Sequence, residues 1–240
     1  METRINIVIS PSQQDRNYTA IGDKSADTES ELTRLVGVEV VNLLARDNRL
    51  NVHLVPDFNL GDDRQNLQTA IDDSNKFIRQ NGGKGYHLDL HTDGGYAGHG
   101  ASAFYVSEAG KGFIAPIFNE MCKLTPWDDM TMTKRNNLAV LNQTIATAGL
   151  LEISFHDKVS EAYWVFNNVK AIATAIVNGI YLGIGLARFC VAKWQFDAYT
   201  ELSESGFLDS PSYWNNRLHE GITVGEVMAL INKVRKVGSK

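Results

Sequence analysis

The chain has 240 residues, 43% of them hydrophobic and 21% charged, with a net charge of −5. That composition suits a soluble globular protein of one full domain, or one domain with a small appendage. The acidic balance and the lack of a basic patch argue against a nucleic-acid partner.

In chain order, the apolar run "INIVI", Ile5 to Ile9, reads as a buried strand that empties into the polar loop "SPSQQDRN". A helix follows in "TESELTRLVGVEVVNLLAR". Thr28 and Glu31 form a Thr-x-x-Glu capping box at its start, and Leu32, Leu35, Val36, Val40, Leu43 and Leu44 make its apolar face. "NVHLVP" is a second strand, and "RQNLQTAIDDSNKFIRQ" is a second helix stopped by Gly82 and Gly83. "YHLDLH" and "ASAFYVS" are the next strands, "GFIAPIFNEMCKL" is a third helix, and "GLLEISF" is a later strand. Strands alternating with helices at this spacing imply an α/β fold: a mostly parallel twisted sheet with helices on both faces.

The stretch "AIATAIVNGIYLGIGLA", Ala171 to Ala187, is near the minimum for a bilayer, but its Thr174, Asn178 and three glycines favour a buried helix over a membrane span. "NGGKG" at 81–85 lacks the spacing of a phosphate loop and reads as a turn. Cys122 and Cys190 belong to no CxxC pair, so buried thiols are expected. Near Arg188 the composition changes. Residues 1–186 are expected to form the main domain, and 187–240, with Trp194 and Trp214, a small helical C-terminal segment too short for a large core of its own. The N-terminus has no basic stretch leading into an apolar run and a cleavage site, so synthesis in the cytoplasm without a secretory signal is the expectation.

Ligands of open α/β sheets bind beyond the carboxyl ends of the strands. The first strand delivers Gln13 and Gln14 there, and the third ends at His91. The late strand carries Glu152 inside the apolar run Leu150, Leu151, Ile153, with His156 and Asp157 just past its end. Glu29 sits in the first turn of the first helix, at the same edge. A carboxylate in an apolar strand is costly to bury, and burial raises its pKa toward the range of a general base. Taken singly, Glu152 could be satisfied by an arginine or a backbone N–H, His91 could be a loop histidine, and Glu29 could be a helix-dipole acid. Together they point to a zinc site with histidine and carboxylate ligands, an open position for water, and a base.

These segments resemble the zinc-dependent N-acetylmuramoyl-L-alanine amidases of bacterial autolysins and phage endolysins, over roughly residues 5 to 182. "IVISPSQQ" stands where that family has a strand followed by Asp-Pro-Gly-His-Gly-Gly. "ESELTRLVGVEVVNLL" resembles its Glu-led helix, "LDLHTDGG" its Ser-Ile-His-Ala-Asn segment, and "LLEISFHD" its Val-Glu-x-Gly-Phe segment. "VFNNVKAIATAIVNGI" matches its closing helix. The resemblance implies Glu29 and His91 as zinc ligands and Glu152 as the catalytic glutamate. Gln13 falls on the family's first histidine ligand and is a poorer donor than imidazole. His156 could take that ligand role or steady the transition state. His87 is set aside, because four residues along a strand span about 13 Å.

The implied activity is cleavage of the amide between N-acetylmuramic acid and L-alanine of the peptidoglycan stem peptide, with Zn2+ as cofactor. The protein would act on the cell wall after release, by a phage-type pore or by mother-cell lysis. Gly94, Gly95, Gly98 and Gly100 would give a loop flexible enough to admit a bulky glycan-peptide. The C-terminal segment would bind the wall or form a homodimer. Two alternatives stay open: another zinc peptidase acting on wall peptides, which an arginine such as Arg64 or Arg135 at the site would favour, or a non-catalytic wall-binding module with a degraded metal site.

Overall fold

The computed structural model describes residues 4–22, 26–95, 98–186 and 201–202. The chain divides into two compact units, Met1–Arg188 and Phe189–Lys240. The C-terminal helices expected within 187–240, with Trp194 and Trp214, lie outside the described residues, apart from 201–202, which are helical.

Six strands form one sheet in the first unit: β1 (Ile5–Pro11), β2 (Leu50–Leu54), β3 (Tyr86–Asp93), β4 (Ser102–Tyr105), β5 (Thr131–Lys134) and β6 (Thr147–Phe155). Their order across the sheet is β2-β1-β3-β6-β4-β5. β2, β1, β3 and β6 run parallel, β4 is antiparallel to β6, and β5 is parallel to β4. The mostly parallel α/β sheet expected from the alternation is therefore present. β5 is an addition: four largely exposed residues at a sheet edge, with no apolar run to betray them.

The helices are α1 (Glu29–Leu44), α2 (Asp63–Gln80), α3 (Glu108–Leu124), α4 (Ala139–Gln143), α5 (Val159–Asn167) and α6 (Val169–Gly183). α1 begins at the capping box read from the sequence, with Thr28 Oγ1 accepting from Glu31 N and Glu31 Oε2 accepting from Thr28 N. The single closing helix expected over 165–180 is two helices. Asn168 caps both, and its side chain donates to the Trp164 carbonyl 2.8 Å away, which closes the last turn of α5 instead of continuing it.

Alternation along β6 assigns the helices to opposite faces. Ala148 and Leu150 pack with Ile71 of α2 and with Val140 and Leu141 of α4. Gly149 between them faces Ile114 of α3, whose Cβ would lie 2.7 Å from an added methyl. α6 packs along α3 and α1, which explains the apolar stretch from Ala171. At Gly179 an added Cβ would come within 2.2 Å of the Ile117 backbone, so the α3–α6 contact requires a bare glycine there. Among the described residues, no helix is long and apolar enough to cross a membrane.

Candidate metal centre and active site

The carboxyl ends of β1, β3 and β6 meet the start of α1. In the sheet register His91 of β3 lies beside Glu152 of β6, so their side chains leave the same face side by side. Glu29 comes from the first turn of α1 and is 1% exposed. One ligand atom from each of Glu29, His91 and Glu152 lies within 4.8 Å of the others.

Each of these groups is held. Glu29 Oε1 lies 2.8 Å from His91 Nδ1 and accepts from Thr92 N at 3.3 Å, and its Oε2 accepts from Asn17 Nδ2 at 2.7 Å. Burial works to raise the Glu29 pKa, but the His91 charge and hydrogen bond, with Asn17, hold it below its ordinary value. His91 presents Nδ1 to Glu29 and Nε2 to Asp89, 3.1 Å away. Burial alone would lower its pKa, and the two carboxylates raise it well above the ordinary value. Glu152 differs. Its Oε2 is sealed from solvent and has no hydrogen-bond partner. Burial pushes its pKa up to about 8, against the attraction of His91.

An ionised carboxylate, an imidazole and a second carboxyl at this separation fit a borderline divalent cation such as zinc, which takes nitrogen and oxygen donors. The orphaned Oε2 of Glu152 supplies an acceptor for a water.

His156 lines the same cavity, of about 320 Å³, together with Gln14, Asn17, Thr92 and Gly94. Its Nδ1 lies 2.8 Å from the Thr92 carbonyl oxygen, which can only accept, so Nδ1 carries the proton and Nε2 is the free atom. Its Nδ1 is 4.0 Å from Glu29 Oε2, and the ring presses on Gly94, where a Cβ would come within 3.0 Å. His156 belongs to the cavity but not to the convergent group of three.

Gln13 does not join that group either, and here the expectation needs correction. Its side chain is 3% exposed and fully engaged elsewhere. Nε2 donates to the carbonyls of Pro11 and Pro56, and Oε1 accepts from Phe58 N at 3.1 Å. Gln13 thus ties the loop after β1 to the loop after β2. The neighbouring Gln14 faces the site, with Nε2 3.4 Å from His91 Nδ1 and Oε1 accepting from Asn17. Sequence reasoning also missed Asn17, Thr92 and Asp89. Asn17 and Thr92 carry no motif, while the buried-strand position of Asp89 was a signal of the same kind as that of Glu152.

The glycine loop after β3 is packed at its described ends. An added Cβ at Gly98 would come within 2.5 Å of the Phe155 ring, and Gly100, at φ +82, lies against the Asp129 carbonyl. Buried Glu161 of α5 accepts from Gly100 N at 3.0 Å, His99 Nδ1 at 2.6 Å and Phe155 N at 3.2 Å. Arg64 lines a second cavity beside Gln14 and His91, whereas Arg135 lies over the Phe104 ring.

Fold and site together define a mostly parallel α/β sheet that carries, at the carboxyl ends of its strands, a group of three side chains able to hold a metal ion. The model of the N-acetylmuramoyl-L-alanine amidase family matches residues 7–181. The chain belongs to that family, whose members hydrolyse the amide joining N-acetylmuramic acid to L-alanine in peptidoglycan. Among solved structures it is similar to the catalytic domain of CwlV, an N-acetylmuramoyl-L-alanine amidase from Bacillus (Paenibacillus) polymyxa var. colistinus. Identity is 19% and the TM-score 0.59, over 76% of this chain and 99% of that one. An N-acetylmuramoyl-L-alanine amidase from Clostridium difficile 630 matches with 16% identity and a TM-score of 0.60, over 75% of this chain and 98% of that one. The catalytic domain of the CD27L endolysin targeting Clostridia difficile matches with 16% identity and a TM-score of 0.59, over 77% and 99%. No curated protein matches the chain. Of the readings open from the sequence, the amidase is the one that stands.

Proposed function

We propose that this amidase works with zinc held by Glu29 and His91, and with Glu152 as general base. The convergence of these three side chains within 4.8 Å carries the reading. When bound, zinc supplies Lewis acidity toward the scissile carbonyl and toward water. Glu152 then takes a proton from the attacking water and returns it to the leaving amine of L-alanine. Its lone Oε2 and its raised pKa suit both halves of that transfer. His156 enters through Nε2, the atom left free by Thr92. This is the atom it offers to the oxygen on which negative charge gathers. Gln14, not Gln13, lines the remaining side.

Zinc content and wall clearing, measured on the parent and on Glu29→Ala, His91→Ala and Glu152→Ala, test the reading. The first two variants should lose both metal and activity. The third should lose activity and keep metal. Full zinc retention in His91→Ala would overturn it.

A further inference from the structure

We infer that Asp89 is a positioning residue for this site: it holds His91 by Nε2 so that Nδ1 is the atom offered to a metal. The inference rests on the reading of His91 as a ligand.

Asp89 and His91 are two apart on β3, so they leave the same face of the strand. That face lies under α2 and α4, and in the register Asp89 sits between Ser10 of β1 and Leu150 of β6. Its side chain is 2% exposed. A lone carboxylate in such a place is costly unless a partner meets it. Among the described residues, the one hydrogen bond it receives is from His91 Nε2, at 3.1 Å. His87, one step further into the sheet, is 1% exposed and places Nε2 3.8 Å from Asp89 Oδ1, within ion-pair range but longer than a hydrogen bond, and with His91 it holds the Asp89 carboxyl below its ordinary range against burial.

Asp89 and Glu29 can both only accept, so without a metal each ring nitrogen of His91 gives a hydrogen to one of them. While Asp89 keeps the hydrogen on Nε2, the place of the other hydrogen is open to a cation at Nδ1. That is the atom 2.8 Å from Glu29 Oε1, on the side where Glu152 also converges. A carboxylate behind a ligating imidazole also makes the ring a stronger donor. Donor strength matters here, because His91 is the sole imidazole of the convergent group and Gln13 is turned away.

The test is a graded series of folded proteins: the parent, Asp89→Asn, Asp89→Leu and His91→Ala. Asparagine keeps an acceptor for Nε2–H without the charge, and leucine keeps neither. Zinc affinity, measured against a competing chelator, should fall about 10-fold in Asp89→Asn and up to about 100-fold in Asp89→Leu. The Nε2–H proton resonance of His91 should persist in zinc-loaded Asp89→Asn and vanish in Asp89→Leu. A merely structural role would move stability without this tautomer signature. Where leucine prevents folding, the near-isosteric asparagine decides. Parent-like zinc affinity in Asp89→Asn, with zinc lost in His91→Ala, would overturn the role of Asp89 and leave the ligand reading intact. Parent-like affinity in His91→Ala would overturn the ligand reading itself.

Discussion

Glu29 Oε1 and His91 Nδ1 stand 2.8 Å apart, although 62 residues separate them in the chain. The capping box starts α1 so that its first residue reaches over the end of β3, and the burial of α1 on α6 holds it there. A carboxylate and an imidazole fixed this way are ordered before any ligand arrives, which spares the reaction that entropy.

Glu152→Ala should cut hydrolysis by about 10²- to 10⁴-fold, the usual worth of a general base, while the folded protein keeps its zinc. Clearing of purified walls alongside metal analysis reads both quantities. Wall clearing at the parent rate would remove Glu152 from the mechanism.

The two glutamines should behave in opposite ways. Gln13→His breaks three hydrogen bonds of a buried side chain, two of them between the loops, so it should cost about 1–3 kcal/mol of stability and bring no gain in zinc affinity. Gln14→His places an imidazole beside His91 and should raise zinc retention after dialysis against a mild chelator. Tighter binding in Gln13→His than in Gln14→His would show that the loop after β1 rearranges around the metal.

The pH dependence of the metal-free protein should carry the mark of Glu152. Its carboxyl has an ordinary pKa of 4.5 and about 8 in the fold. Between these values the folded state keeps a proton that the unfolded state has released. This contribution is full below the lower value and is lost as pH rises toward the upper one. Melting temperature in chelator should therefore fall more steeply from about pH 5 to about pH 8 in the parent than in Glu152→Gln. Parallel curves would mean that the carboxyl is not buried neutral.

Glu161→Ala should destabilise the protein by about 3 kcal/mol, because it strips the acceptor from the buried Gly100 N, Phe155 N and Ser154 Oγ at once. Thermal or urea unfolding measures it. A loss within the scatter of surface substitutions would mean that the glycine loop is held by packing on Phe155 alone.

Much of the fold was legible because it depends on local rules. The capping box at Thr28 and Glu31 and the alternation of apolar strands with amphipathic helices are short-range patterns, and each formed as read. β5 and the break at Asn168 were not legible: the first has no apolar signature, and the second turns on one side chain closing the Trp164 turn. His91, Glu152 and Glu29, which the structure brings within 4.8 Å of one another, were singled out by their chemistry, an acid in an apolar strand being the clearest sign. Which glutamine faces the cavity was decided only by tertiary structure. Adjacent residues of one loop differ by rotation, and Pro56 and Phe58, some forty residues on, capture the Gln13 amide. Sequence thus determines which groups reach the edge of the sheet. The partner each group meets there depends on packing between elements far apart in the chain, as Glu29 of α1 meets His91 of β3.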